Sequence, residues 1–403
     1  MRKICLTVVG LYLMMLHAFS QFTAKDTTVY QPRPLKIDEI NLVSSYYKQD
    51  GNHSPVTGGI GSEKVTDIAN GLDIKWVGWD QKNRKNTLTA GIGYDHHTAA
   101  SQAYVSKTGA SQTGGTRIYP SLNWNIENEK KGTGFGLGAY YSTEYNYKSI
   151  GLDAEFSKKT KNNGEFTARL TGYFDKVKLI YPSELIPVST NTSASSSGDG
   201  HSKNIPSSPR YTYTASFSFE QVINKRMQVS VMTDLIAQNG YLGLPFHRVY
   251  LNSGADVVEN LPNTRYKLPL GVRLNYFVGD NVILRSYYRY YTDSWGIVSH
   301  TANLEVPVKL SPFFSVSPFY RYYVQSAARY FAPYGTHTSQ DQYYTSNYAL
   351  SGFTSQFFGA GIRLSPPKGI FGTHLNSLEI RYGHYTQTTD LVSDVISVHL
   401  QFK

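Results

Sequence analysis

Arginine supplies the residues best placed to act on a ligand. Arg273, Arg285, Arg289, Arg321, Arg363 and Arg381 each lie in a stretch where apolar side chains take every second position and the arginine falls between them. In an extended chain that spacing puts the arginines on the face opposite the apolar one. Glu305 and Glu379 share their register and are expected to pair with some of them, and Asp153 and Glu155 hold the matching register far upstream. Guanidinium groups facing an aqueous passage would attract anions and, with carboxylates on the opposite wall, set up a transverse field. The competing reading is a ladder of Arg–Glu and Arg–Tyr contacts that only stiffens the wall.

Glycines recur with the same period of two on that polar register: Gly91 and Gly93, then Gly134, Gly136 and Gly138, then Gly359 and Gly361. Glycine inside a strand marks close approach of another backbone, which suggests a loop folded inward, from 50–70 or 95–116. The alternative is that these glycines let the wall curve and coil. Asp95, His96 and His97, with Ser101 or Ser299, contain the residue types of a hydrolase, and His300 and His337 fall at a similar level. Adjacent histidines on a strand point opposite ways, so neither a catalytic set nor a metal site is assigned. The stretch G-G-I-G-S-E-K (58–64) lacks the G-K-[ST] ending of a phosphate loop.

The elements that must carry these residues are strands. Ile396, Val398, Leu400 and Phe402 alternate with Ser397, His399, Gln401 and Lys403, which gives one apolar and one polar face. An aromatic at the end of such a strand resembles the terminal signal of outer-membrane barrels. The same alternation appears upstream, for instance at Leu72, Ile74 and Trp76, at Ile150, Leu152, Ala154 and Phe156, and at Leu270, Val272, Leu274 and Tyr276. About sixteen such strands fit, an even number as bacterial barrels require. Short polar turns such as Asp80–Asn86 follow even strands. The longer segments, 50–70, 95–116, 175–209, 237–262 and 326–347, follow odd ones. The apolar sets contain no Lys, Arg, Asp or Glu, whereas a soluble sandwich would scatter charge over both registers.

Arg2, Lys3, the apolar run Ile4–Met15 and Ala18-Phe19-Ser20 form a cleavable secretion signal over 1–20. Residues 21–37 read as a periplasmic lead-in and 38–403 as the barrel. The one cysteine, Cys5, lies inside the signal, so no disulfide or thiolate site is expected. Charged residues are 17% of the chain, below the ~25% of soluble domains, and no stretch reaches the ~18 apolar residues of a membrane helix. The formal charge of +10 becomes +8 without Arg2 and Lys3. For an exported chain this favours membrane lipid, lipopolysaccharide or anionic solutes over nucleic acid.

Three segments, S-Y-Y-K-Q-D-G-N-H-S-P-V-T-G-G-I-G-S-E-K (45–64), R-S-Y-Y-R-Y-Y-T-D-S-W-G-I-V-S-H-T (285–301) and R-Y-Y-V-Q-S-A-A-R-Y-F (321–331), are similar to a bacterial family catalogued as domain of unknown function 3570. The resemblance spans most of the mature chain and implies a barrel in the outer membrane of a Gram-negative bacterium. It implies no activity and no catalytic residue. The sequence therefore reads as all-β, a transmembrane antiparallel β-barrel with short periplasmic turns and long extracellular loops. The expected role is a channel or passive transporter for small solutes, anions among them, with no enzyme activity and no cofactor. A non-conducting barrel that anchors or exports a partner complex is the alternative, and hydrolysis at the rim a third. The C-terminal strand is expected to engage the barrel-assembly machinery. The sequence leaves the oligomeric state open.

Overall fold

A computed structural model describes residues 33–98, 114–182, 185, 206–244 and 246–403. The secretion signal, most of the lead-in and the Ser-rich part of 175–209 lie outside them. Nineteen strands are described. In chain order they are β1 (Arg33–Asp50), β2 (Val65–Trp79), β3 (Lys85–His97), β4 (Gly115–Asn128), β5 (Thr133–Thr143), β6 (Tyr147–Lys159), β7 (Gly164–Lys178), β8 (Ser207–Asn224), β9 (Met227–Gly240), β10 (Arg248–Tyr250), β11 (Asp256–Val258), β12 (Thr264–Val278), β13 (Val282–Asp293), β14 (Val298–Glu305), β15 (Val308–Lys309), β16 (Phe314–Gln325), β17 (Phe353–Leu364), β18 (Leu375–Gln387) and β19 (Leu391–Phe402).

Each wall strand pairs antiparallel with its neighbours, and β1 pairs with both β2 and β19, so the sheet closes on itself. Strands β14 and β15 are two pieces of one wall strand, both laid along β16. Pro307 divides them, having no N–H to give the ladder. Counted so, the barrel has sixteen strands, and β10–β11 is a separate small hairpin. Strand β1 begins at Arg33, so the lead-in set at 21–37 is too long by five residues. Its first turn of pairing is irregular, with bulges between Arg33 and Lys36 and between Ile37 and Glu39.

Burial is inverted relative to a water-soluble protein. Leu170 is 64% exposed, Leu235 55% and Ile150 53%, and these residues lie on the expected outward register. One cross-strand row runs Leu400, Leu42, Leu72, Ile92 around the cylinder, and every member is apolar. A surface of this kind is stable only against hydrocarbon, and the closed ladder satisfies the backbone groups that lipid cannot. The terminal Phe402 is 1% exposed and packs with Ile37, Ile40, Leu375 and Leu400 where the last strand meets the first. Among the described residues, charged groups reach the outward register only at the rims, as with Lys48 opposite Asp394.

The sorting of loops is less complete than the sequence suggests. Loops 51–64, 241–263 and 326–352 stand on the rim opposite the chain ends. On that same rim, however, 144–146, 294–297 and 388–390 are tight turns. Strands also extend further into the loops than expected, since β2 already begins at Val65 and β9 ends only at Gly240.

Candidate functional site: an arginine-lined half of the lumen

Residue pairing fixes which side chains face inward. Arg273 stands opposite Tyr287, Arg285 opposite Glu305, Arg289 opposite Thr301, Arg321 opposite Phe357, Arg363 opposite Glu379 and Arg381 opposite Ser397. All six occupy the polar register of neighbouring strands from β12 to β18. Glu305 is shared between Arg381 at 3.2 Å and Arg285 at 3.7 Å, and Glu379 meets Arg381 at 3.1 Å. Two carboxylates thus serve two of the six guanidiniums, Arg285 and Arg381. Among the described residues Arg273, Arg289, Arg321 and Arg363 have no carboxylate partner. Arg273 lies over the Tyr287 ring, Arg321 over Phe357, and Arg363 donates from Nε to Ser377 Oγ at 3.1 Å.

These groups border two cavities that share Asn303, Glu305 and Arg321. One, of about 600 Å³, also takes in Arg273 and Arg285. The other, of about 280 Å³, also takes in Arg381 and the Phe319 and Phe357 rings. A wall of sixteen strands encloses a lumen wider than its own side chains fill, and the cavities lie on its inner surface.

The opposite half is chemically different. Asp153 accepts from the Tyr140 hydroxyl at 2.6 Å, and that hydroxyl also lies 2.8 Å from Asn123. Glu155 is bound by Arg169, whose Nε donates at 2.8 Å. Arg169 was not among the sequence candidates, although its register opposite Glu155 is legible. It neutralises one of the two carboxylates proposed as the acidic wall.

Among the described residues no loop packs on the glycines. A Cβ on Gly93 would lie 1.9 Å from the Tyr119 ring, one on Gly136 2.1 Å from Asn125, and one on Gly138 2.3 Å from Asp153. Gly91 adjoins Asp73 and Ser121, Gly134 adjoins Ser157, Gly359 the backbone of Tyr382, and Gly361 the Arg381 side chain. The room is taken by the wall's own cross-strand neighbours, which lie flat where no Cβ stands. Loop 51–64 does fold onto other protein, but at the rim. Of the other proposed loop, 99–113 lies outside the described residues.

At that rim three loops join into one packed body. The Arg248 guanidinium donates to Val56 O at 2.6 Å, His53 stacks on Tyr348 at 3.7 Å, and Asn260 pairs with Tyr344. Gly58 and Gly59 hold left-handed φ of 78° and 86° with no space for a Cβ against Tyr250 and Ser346. Val249 and Thr345 are fully buried at the centre. Glu259 is buried there too, accepting from Thr345 Oγ1 at 2.5 Å and Leu244 N at 3.1 Å, with His247 3.5 Å away. Burial by itself would raise its carboxyl, yet His247 and these hydrogen bonds hold it below the ordinary 4.5. In loop 51–64, burial instead pushes the Glu63 carboxyl up, against a smaller opposing pull from His53.

A repeated Tyr-x-Gln pair fastens this body to the wall. Tyr47, Tyr323 and Tyr385 each donate to the glutamine two residues on, at 2.6–2.7 Å. The glutamine amide is then oriented toward a connection. Gln49 donates to Glu63 O, Gln325 to Ala349 O and Ser351 O, and Gln387 to Thr389 Oγ1. The motif Y-x-Q at three strand ends could have been found in the sequence and was not.

Among the described residues the rim hydrolase candidates are not brought together. Asp95 is held by Arg117 at 2.8 Å rather than by a histidine. His96 faces outward to Thr116 Oγ1, His97 faces Glu144 at 3.6 Å, and His300 meets the Tyr288 hydroxyl. Ser299 is 2% exposed, His337 contacts Asp341 within its own loop, and Ser101 lies outside the described residues. No group of three metal-binding side chains occurs among the described residues.

Fold and site together define a transmembrane β-barrel of sixteen strands whose water-facing surface is basic on one half. Residues 81–393 match the family described as Protein of unknown function (DUF3570), and the chain belongs to that family. Among solved structures, a BenF-like porin from Pseudomonas fluorescens is 8% identical with a TM-score of 0.42, covering 91% of this chain and 98% of that one. OpdK from Pseudomonas aeruginosa, with vanillate, is 7% identical with a TM-score of 0.41, covering 90% and 98%. The siderophore receptor PirA from Acinetobacter baumannii is 11% identical with a TM-score of 0.44, covering 88% of this chain and 54% of that one. No curated protein matches the chain.

Proposed function

We propose that the chain is a channel in the outer membrane of a Gram-negative bacterium, a passive transporter of small solutes that favours anions. The carrying observation is the set of four guanidiniums, on Arg273, Arg289, Arg321 and Arg363, that have no carboxylate partner among the described residues and face the lumen. An uncompensated positive wall lowers the energy of an anion along the passage and raises that of a cation. Nothing in this role needs catalysis, a cofactor or a metal. The sealed position of Phe402 supports recognition of the last strand by the barrel-assembly machinery before the barrel closes.

Single-channel recording in planar bilayers under a salt gradient tests this. The expected reversal potential is that of an anion-selective pore, moving toward cations when Arg285 and Arg289 are replaced by Gln. An unchanged potential rejects selectivity by this wall. A second reading, a non-conducting barrel that anchors or exports a partner, draws support from the packed body of loops at the rim. Absence of conductance from folded protein would favour it.

A further inference from the structure

The outer rim of β5–β8 carries positive charge on the face turned away from the lumen. One cross-strand row there runs Thr143, Lys148, Lys176, Pro209. The row beneath is Tyr141, Ile150, Phe174, Tyr211, the edge of the apolar belt. Lys178 lies one row above, its Nζ 4.4 Å over the exposed Tyr145 ring. Lys148 and Lys176 stand directly opposite one another, and like charges so placed repel unless an anion lies between them. The neighbouring carboxylates face inward and are engaged, Glu144 by His97 at 3.6 Å and Asp175 by Arg210 at 2.9 Å. Among the described residues none of the three lysines has a carboxylate partner. The contrast is Lys48, which stands opposite Asp394, itself held by His384 and Tyr382.

The lysines sit where hydrocarbon gives way to headgroups, flanked by tyrosines suited to that boundary. An anion at that height, in the leaflet the large loops face, belongs to a lipid. We infer that Lys148, Lys176 and Lys178 clamp a phosphate of a phosphorylated outer-leaflet glycolipid, the lipid A part of lipopolysaccharide. The site rests on the outer-membrane reading but not on conduction.

Native mass spectrometry of the full chain in detergent tests it with three probes: phosphorylated lipid A, its dephosphorylated form and inorganic phosphate. A lysine near an anionic lipid surface contributes a factor of about five. The double variant Lys148→Gln/Lys176→Gln should therefore retain phosphorylated lipid A roughly 25-fold less well than the unaltered chain. Lys148→Arg/Lys176→Arg should retain it, and Lys158→Gln at the opposite rim should behave as unaltered protein. The heat-dependent gel shift of a closed barrel verifies folding of each. Equal retention by the Gln variant, equal binding of dephosphorylated lipid A, or displacement by inorganic phosphate at matching concentration overturns the inference. Lipid binding without conductance would reject the channel and leave the clamp standing. Conductance without lipid binding would do the reverse.

Discussion

The two halves of the barrel wall solve the same packing problem with opposite chemistry. From β2 to β8 the inner face is built of glycines, amides and carboxylates, with Tyr119 and Tyr140 folded down beside the glycines and Arg169 spent on Glu155. From β12 to β18 the inner face carries six guanidiniums against two glutamates, besides Arg265, which is paired with Asp293 toward the rim. Two of the three packed loops, 241–263 and 326–352, spring from this second half and the third, 51–64, from the seam beside it. Glycine lets side chains lie along the wall and neutralise one another. Where it is scarce, long basic side chains project, and loops are fastened above them. Unpaired positive charge is thereby concentrated on one side of the lumen.

The largest expected effect is on the loops. Glu259→Ala leaves His247 and Thr345 without their buried acceptor and should destabilise the packed body by about 3–5 kcal/mol. Hydrogen exchange in 241–263 and 326–352 would report it, and unchanged protection would show that the two halves do not differ in loop anchoring. The pH dependence has a definite sign. The Glu259 carboxyl is held below its ordinary 4.5, so its stabilisation is complete at neutral pH and is lost as pH falls through 4.5 toward the lower folded value. The raised Glu63 carboxyl acts oppositely, loosening loop 51–64 as pH rises from its ordinary 4.5 toward the higher folded value.

Next in size, replacing Arg273, Arg321 and Arg363 together by Gln should lower the anion-to-cation permeability ratio roughly tenfold, about 1.4 kcal/mol, read as a shifted reversal potential. A change confined to conductance would mean that these arginines only shape the passage. Gln325→Ala removes donors to Ala349 O and Ser351 O and should cost about 1–3 kcal/mol of loop stability, with faster exchange at 349–351. Arg169→Gln on the other half frees Glu155 and should move the reversal potential toward cations by about a third of the triple variant's shift. A shift as large as the triple variant's would erase the distinction between the halves.

Much of this was legible beforehand because a barrel strand has a strict period. Once Leu270 and Val272 are assigned to lipid, Arg273 must face the lumen, and the pairing of Arg285 with Glu305 follows from register. The glycines were less legible, because period two says which face a glycine occupies, not what fills the space beside it. Tyr119 lies over Gly93 through a cross-strand neighbour that only the register identifies. Arg169 was overlooked although its face was readable, and with it the neutralisation of Glu155.

The sequence by itself determined the strand number, the lipid face and the inward register of the arginines, because alternation along a strand is a local property that hydrocarbon enforces at every step. Which guanidiniums find a carboxylate, how loops 51–64, 241–263 and 326–352 interlock, and how Glu259 comes to be buried among them were decided by the tertiary structure. Those contacts join residues far apart in the chain, as Arg248 is joined to Val56 across 192 positions and His53 stacks on Tyr348 across still more, and only closure of the cylinder brings them within reach.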